Sequence, residues 1–309
     1  MQYSLAYELY DTSTHFLLEL LQNADDNEYT FNPTLKLTYT PGVFQVDCNE
    51  TGFTKENVEA ICGIRNSTKL HSKDYTGEKG IGFKSVFKVA DEVYISSRQY
   101  AFKFDKREKF GMIAPTWADF PGRTSPDCTS IYLNLSKHYA TEELVEQLQC
   151  FDSGLLLFLR TIRNIDVSAA LPEGRSWNKS LKRIDMSKNE DGSSIRVLQV
   201  DENSTEYIIR PYRVLDLPYE ARRLGYSHAE ILLAFPVTDF STASQLAKQN
   251  VYNILPINDY GLPVILHFIY LLWSPLTDFS SRYMEISFLP QIASLSTLHL
   301  NGISPCGMG

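Results

Sequence analysis

Positive charge is scarce in this chain: 29 Lys and Arg stand against 37 Asp and Glu, a formal net charge of −8 over 309 residues. Such a balance gives no overall electrostatic footprint for nucleic acid or for an anionic membrane surface, and neither is expected as a partner. Cysteine is sparse and unpatterned. Cys48, Cys62, Cys128, Cys150 and Cys306 form no CxxC pair and no metal-ligand spacing, which argues against zinc and suits free thiols in a reducing compartment. Long apolar runs are missing too. The longest, around Leu262 to Trp273, contains Pro263 and His267 and is too short to span a bilayer. The opening residues, Met1-Gln-Tyr-Ser-Leu-Ala-Tyr-Glu8, lack the basic and then apolar sections of a secretory signal, so an intracellular location is expected.

What is present is globular. Hydrophobic residues make up 43% and charged residues 21% of a chain long enough for two ordinary domains. Between Leu5 and Asn27 the pattern is helical, broken near Asp11-Thr-Ser-Thr14, which predicts two helices before the first strand. Leu35 to Tyr39 and Val43 to Asp47, split by Pro41-Gly42, predict a hairpin. A short helix is expected over Lys55 to Cys62 with Thr54 as its N-cap, then a polar, glycine-rich connection over 63–80 and a helical stretch from Ile81 to Val89. Strands follow at Glu92 to Ser96, Ala101 to Phe104 and Thr129 to Leu135. After a soft boundary near Tyr139, helices are expected at Glu142 to Gln149 and Leu155 to Asn164, then strands at Ser194 to Val200, Glu206 to Val214 and Ile231 to Val237.

Four local signals carry chemistry, each weak alone. The first is Glu19-Leu-Leu-Gln-Asn23-Ala-Asp-Asp26, where positions i, i+4 and i+7 fall within about 60° of one another around a helix. Glu19, Asn23 and Asp26 share one face, opposite Phe16, Leu17, Leu20, Leu21 and Ala24. Such a stripe often merely faces water; its functional reading is a carboxylate base one turn from an amide oxygen able to ligate Mg²⁺. The second signal, Asp47-Cys-Asn49-Glu-Thr-Gly52, is a polar strand end turning at a glycine, where a carboxylate or amide is placed to read an adenine amino group. The third, Gly77-Glu-Lys-Gly80-Ile81-Gly82-Phe83-Lys-Ser85, opens a helix, and its glycines let backbone N–H groups approach an anion. Neither a P-loop nor a dinucleotide fingerprint fits, because Phe83 separates Gly82 from Lys84 and Ser85 stands where the latter needs glycine. The fourth is Thr129, at the start of an alternating strand.

Taken in order, Glu19 to Asp26, the Gly52 turn, Ile64 to Lys69, Gly77 to Phe87 and Val89-Ala-Asp-Glu-Val-Tyr-Ile-Ser96 resemble the ATPase domain of the gyrase, heat-shock chaperone, histidine kinase and MutL (GHKL) superfamily. Thr14 to Asn27 and Gly77 to Phe87 resemble most closely its NO VEIN-like and sacsin-like members of plants and fungi. The likeness covers about residues 5–165, and more loosely Ile231 to Gly261, where Leu255-Pro-Ile-Asn-Asp-Tyr-Gly261 echoes a motif of the group.

The resemblance implies an α+β fold of the Bergerat type over residues 1–140, a two-layer sandwich of a mixed, mainly antiparallel sheet with helices on one face. A second, smaller α+β region would occupy 141–309. It implies a Mg²⁺-dependent module that binds and hydrolyses ATP, chaperone-like, with a nucleotide-responsive lid. Glu19 would orient or activate the attacking water, Asn23 would ligate Mg²⁺, and Asp26 would support the site. Gly77, Gly80, Ile81, Gly82 and Phe83 would wrap the phosphates, Ser67 and Thr68 would lie beside them, and Thr129 would sit near the adenine. In the chaperone pattern an Asp stands four residues before the glycine matching Gly52. Here that position is Cys48, so adenine recognition passes to Asn49, or to Asp47 if the strand is bulged. A protein client and a nucleotide-dependent homodimer are the partners implied. Residues after Leu266 lose the family's look, and the chain reads as a fragment. A non-catalytic nucleotide-binding or scaffold module is the alternative. Histidine kinase activity fits less well, because His15 has no acidic neighbour and no dimerisation helix pair.

Overall fold

The computed structural model describes residues 15–62, 82–125, 127–190, 192–214, 229–237, 249–253, 255–262 and 265–268. The chain parts into two compact units, one of residues 1–184 with 198–204, the other of residues 185–197 with 205–309. The fold is α+β, with few helices and a mixed, mostly antiparallel sheet.

In the first unit, helix α1 (His15–Asp25) buries Phe16, Leu17, Leu20, Leu21 and Ala24, as the helical period predicts. The earlier of the two expected helices lies outside the described residues. Strands β1 (Thr34–Thr40) and β2 (Val43–Cys48) form the expected hairpin, and the turn is possible because Gly42 takes φ 83°. Their alternation puts Leu35, Leu37, Tyr39, Phe44, Val46 and Cys48 in the core. Phe16 of α1 meets Phe44 of β2 edge to face at 5.8 Å, which seats the helix on that face of the sheet. Helix α2 (Lys55–Ile61) starts with the predicted Thr54 cap, in a reciprocal box with Asn57.

The glycine-rich stretch leads into a 3-10 helix, Gly82–Lys88, that buries Phe83, Val86 and Phe87. Strands β3 (Ala90–Ser97), β4 (Tyr100–Asp105), β5 (Thr116–Trp117) and β6 (Thr129–Leu135) follow, then helix α3 (Thr141–Gln149). Residues beyond Tyr139 belong to the same unit as far as Ile184, because β7 (Asn164–Ala170) pairs in parallel with β1 and β8 (Ser176–Lys188) pairs antiparallel with β7. The strand order in this unit is β8-β7-β1-β2-β6-β3-β4-β5.

One expected helix is absent. Residues 155–164 instead continue a short 3-10 helix, Ser153–Leu157, into an irregular turn and then β7. The run Leu155 to Leu159 is apolar without a polar face and is buried throughout, and side chains compete for its backbone. Arg183 Nη1 donates to the carbonyls of Leu156 (2.9 Å) and Leu159 (2.5 Å). Asp25 accepts the N–H groups of Arg160, Thr161 and Ile162 at 2.7, 2.7 and 2.8 Å. With the N–H groups of residues 160–162 taken by Asp25, those three residues donate to no i to i+4 ladder.

The chain continues through β9 (Ser194–Val200) and β10 (Asn203–Val214), joined by a turn in which Asp201 takes φ 52°. The second unit adds β11 (Ala229–Pro236), β12 (Gln249–Asn253), β13 (Leu255–Leu262) and β14 (Ile265–Phe268). There the order is β13-β12-β14-β11-β10, with β12 and β14 parallel. Its described residues contain strands and no helix.

Candidate functional site

On the face of α1 turned from the core, Glu19 and Asn23 are both half-buried, one turn apart. Gly82, the first residue of the 3-10 helix, packs directly on Glu19. A Cβ built there would run into the carboxylate, with Cδ only 2.8 Å away, so any larger residue would displace the Glu19 side chain. Two motifs separated by some sixty residues in the chain thus meet at one carboxylate. No hydrogen bond joins the Asn23 carboxamide to any described residue. A half-buried amide with donor and acceptor both open is chemically ready for a ligand.

Asp26 is engaged elsewhere: Arg160 Nη2 donates to its Oδ1 at 3.2 Å. Its neighbour Asp25 is buried and holds the 160–162 backbone as described. The helical period marked Asp26 as the facing residue. The partner of Asp25 lies some 135 residues on, and no local pattern announces it.

At the far end of β2 the strand register is regular with both β1 and β6, so the bulge that would turn Asp47 inward is absent. Asp47 lies on the opposite face from Phe44, Val46 and Cys48, where Ser130 Oγ (2.5 Å) and Gln45 Nε2 (2.8 Å) donate to it. The Asn49 carboxamide is also committed: it accepts from Thr34 N (2.7 Å) and donates to the Asn32 carbonyl (2.9 Å), fixing the entry to β1. Cys48 itself faces inward, directly across from Thr129. Thr129 Oγ1 and Ser97 Oγ lie 2.6 Å apart, both buried, and Ser97 Oγ also accepts from Phe53 N at 2.8 Å.

Tyr29 completes this group. Its hydroxyl donates to the Ala24 carbonyl (2.6 Å) and lies 2.8 Å from Cys48 Sγ. Since the phenol has one proton, the thiol is the donor in the second contact. Burial pushes the Cys48 thiol up to about 12, and Tyr29 well above the usual phenol range. The sheet end therefore presents neutral hydroxyl and thiol groups. Gly52, at φ 87°, turns the chain just beyond, with the Arg98 side chain against its α-carbon.

Phe83 is buried, its ring 6.2 Å from that of Phe104, so it anchors the 3-10 helix from the core. Ser67, Thr68, Gly77, Gly80 and Ile81 lie outside the described residues. Lys84 is the side chain here that sequence reasoning passed over; it donates to the carbonyls of Ile61 and Met112. Among the described residues no group of three His, Cys, Asp or Glu side chains is placed to hold a metal ion, and no helix is long and apolar enough to cross a membrane.

No family model matches the chain. Over 115 residues it is 49% identical to Protein NO VEIN of Arabidopsis thaliana, covering 36% of this chain and 4% of that protein. Over 94 residues it is 28% identical to Sacsin of Homo sapiens, covering 30% of this chain and 2% of that protein. The chain thus spans a few per cent of the length of these two relatives, and its likeness to them is a likeness to one short segment of each.

Proposed function

We propose that the first unit is a Mg²⁺-dependent ATP-binding and ATP-hydrolysing module with a site of the Bergerat type. The observation that carries this reading is the packing of Gly82 on the Glu19 carboxylate, with the open Asn23 carboxamide one turn away. Mg²⁺ takes oxygen donors and keeps several waters, so one protein oxygen from Asn23 suits it. When bound, the ion would offset charge on the phosphates. Glu19 holds a carboxylate where it can orient a water and accept its proton. The glycines at 77, 80 and 82 keep the backbone bare for phosphate, and Thr129 marks the base end of the site. A protein client and a nucleotide-dependent homodimer complete the proposal.

A second reading, a nucleotide-binding module without turnover, draws on the sheet end. Cys48 is a neutral thiol, and Asp47 and Asn49 are held by other partners. Calorimetry with ATP, with and without Mg²⁺, separates both readings from a purely structural role. Asn23→Ala is expected to abolish Mg²⁺-dependent binding. Glu19→Ala should leave binding nearly intact and lower turnover by roughly 10²-fold or more, the range of a lost general base. Unchanged affinity in Asn23→Ala would reduce the helix to amphipathic packing, and an unmodified chain no faster than Glu19→Ala would favour the second reading.

A further inference from the structure

The 3-10 helix Gly82–Lys88 is held from two sides. Phe83, Val86 and Phe87 bury into the core, while Lys84 reaches the chain segments that flank the helix. Its ammonium donates to the carbonyl of Ile61 at 2.9 Å and to the carbonyl of Met112. It also lies 4.7 Å from the ring centroid of Phe104 and 5.9 Å from that of Phe87. Ile61 ends α2, whose last turn has no basic residue of its own. A helix C-terminus leaves carbonyls without intrahelical partners and carries partial negative charge, which a cation from another segment answers. Met112 belongs to the loop after β4. One half-buried ammonium therefore ties three segments, and burial lowers its proton affinity below that of a free lysine.

Lys84 is two residues from Gly82, and Gly82 meets Glu19 with no room for a methyl group. Where the 3-10 helix sits therefore decides where the Glu19 carboxylate can be. We propose that Lys84 is a positioning residue of the candidate site, fixing Gly82 against Glu19 through the Ile61 and Met112 carbonyls. It touches neither the carboxylate nor the Asn23 amide. Its catalytic consequence rests on the ATPase reading; its structural consequence does not.

Two variants of the full chain test it. Lys84→Met keeps the apolar stem over Phe104 and loses the donors, whereas Lys84→Arg keeps charge and donors. Lys84→Met is expected to lower kcat for ATP by roughly tenfold or more, the scale of a misplaced catalytic group, while KM changes by less than about threefold. Lys84→Arg should recover most of the loss. Hydrogen exchange without nucleotide supplies the independent readout: Lys84→Met should speed exchange at residues 83–88 by roughly tenfold while β1 and β2 keep their protection. If the unmodified chain turns over no ATP, the ATPase reading fails by itself and exchange still decides the positioning role. Unchanged exchange at 83–88, unchanged kcat in an active enzyme, or loss of protection throughout the unit would each overturn the proposal.

Discussion

A methyl group on the Gly82 α-carbon would take the space that the Glu19 carboxylate occupies. That carboxylate is the free end of a flexible side chain, so it can swing aside. Gly82→Ala should therefore cost less than about 1 kcal/mol of stability and, under the proposed ATPase function, lower turnover as far as Glu19→Ala does, measured as paired urea midpoints and rates. Asp25 behaves in the opposite way. It accepts three consecutive backbone N–H groups from a buried segment, and Asp25→Ala leaves those donors without it. A loss of about 2–4 kcal/mol is expected in urea unfolding, with Asp25→Asn intermediate because it keeps one acceptor. Cys48, with its thiol pushed up to about 12 and buried, should resist alkylation at neutral pH, whereas exposed Cys150 should label at once. Mass spectrometry of the labelled peptides checks this; rapid labelling of Cys48 in the native chain would mean that the sheet end opens.

At the scale of elements, β3, β4 and β6 share an open face carrying a charged cluster. Glu92 accepts from Lys103 and from Asn134, both at 2.9 Å, and pairs with Arg107 at 2.8 Å. Asp105 accepts from Arg107 at 2.8 and 2.7 Å. The hydrogen bond from Lys103 holds Glu92 below the usual carboxylate range, and that from Arg107 holds Asp105 well below it. A carboxylate whose affinity for protons falls on folding stabilises the fold above its unfolded pKa, about 4, and that contribution is lost as pH falls through the folded value. Unfolding midpoints should therefore decline on the acid side, and Glu92→Gln should flatten the decline. An equal slope in the variant would place the acid sensitivity elsewhere. Elements also show where a local pattern misleads. The helix expected over Leu155 to Asn164 gives way to an irregular segment in which Asp25 and Arg183, remote in sequence, claim backbone groups. By contrast α1, the β1 and β2 hairpin and the Thr54 cap follow from residues within a few positions of one another.

For the molecule as a whole, the first unit is not a continuous piece of chain. It ends at Ile184 and then regains residues 198–204, where Leu198 is buried and Asp201 exchanges two hydrogen bonds with Ser180, both at 2.8 Å. A fragment ending at Ser204 should melt several degrees above one ending at Ile184; equal melting temperatures in circular dichroism would make the returning strand dispensable. The sequence by itself determined the amphipathic face of α1 and the alternation of β1 and β2, because side-chain periodicity acts over a few residues. Only the tertiary structure decided that Gly82 closes on Glu19, that Asp25 rather than Asp26 holds the 160–162 backbone, that Asp47 and Asn49 are spent on Ser130 and Thr34, and that Lys84 ties three segments. Each of those choices depends on which groups meet across long stretches of chain, where burial and unpaired polar groups set the energies and no local spacing records them.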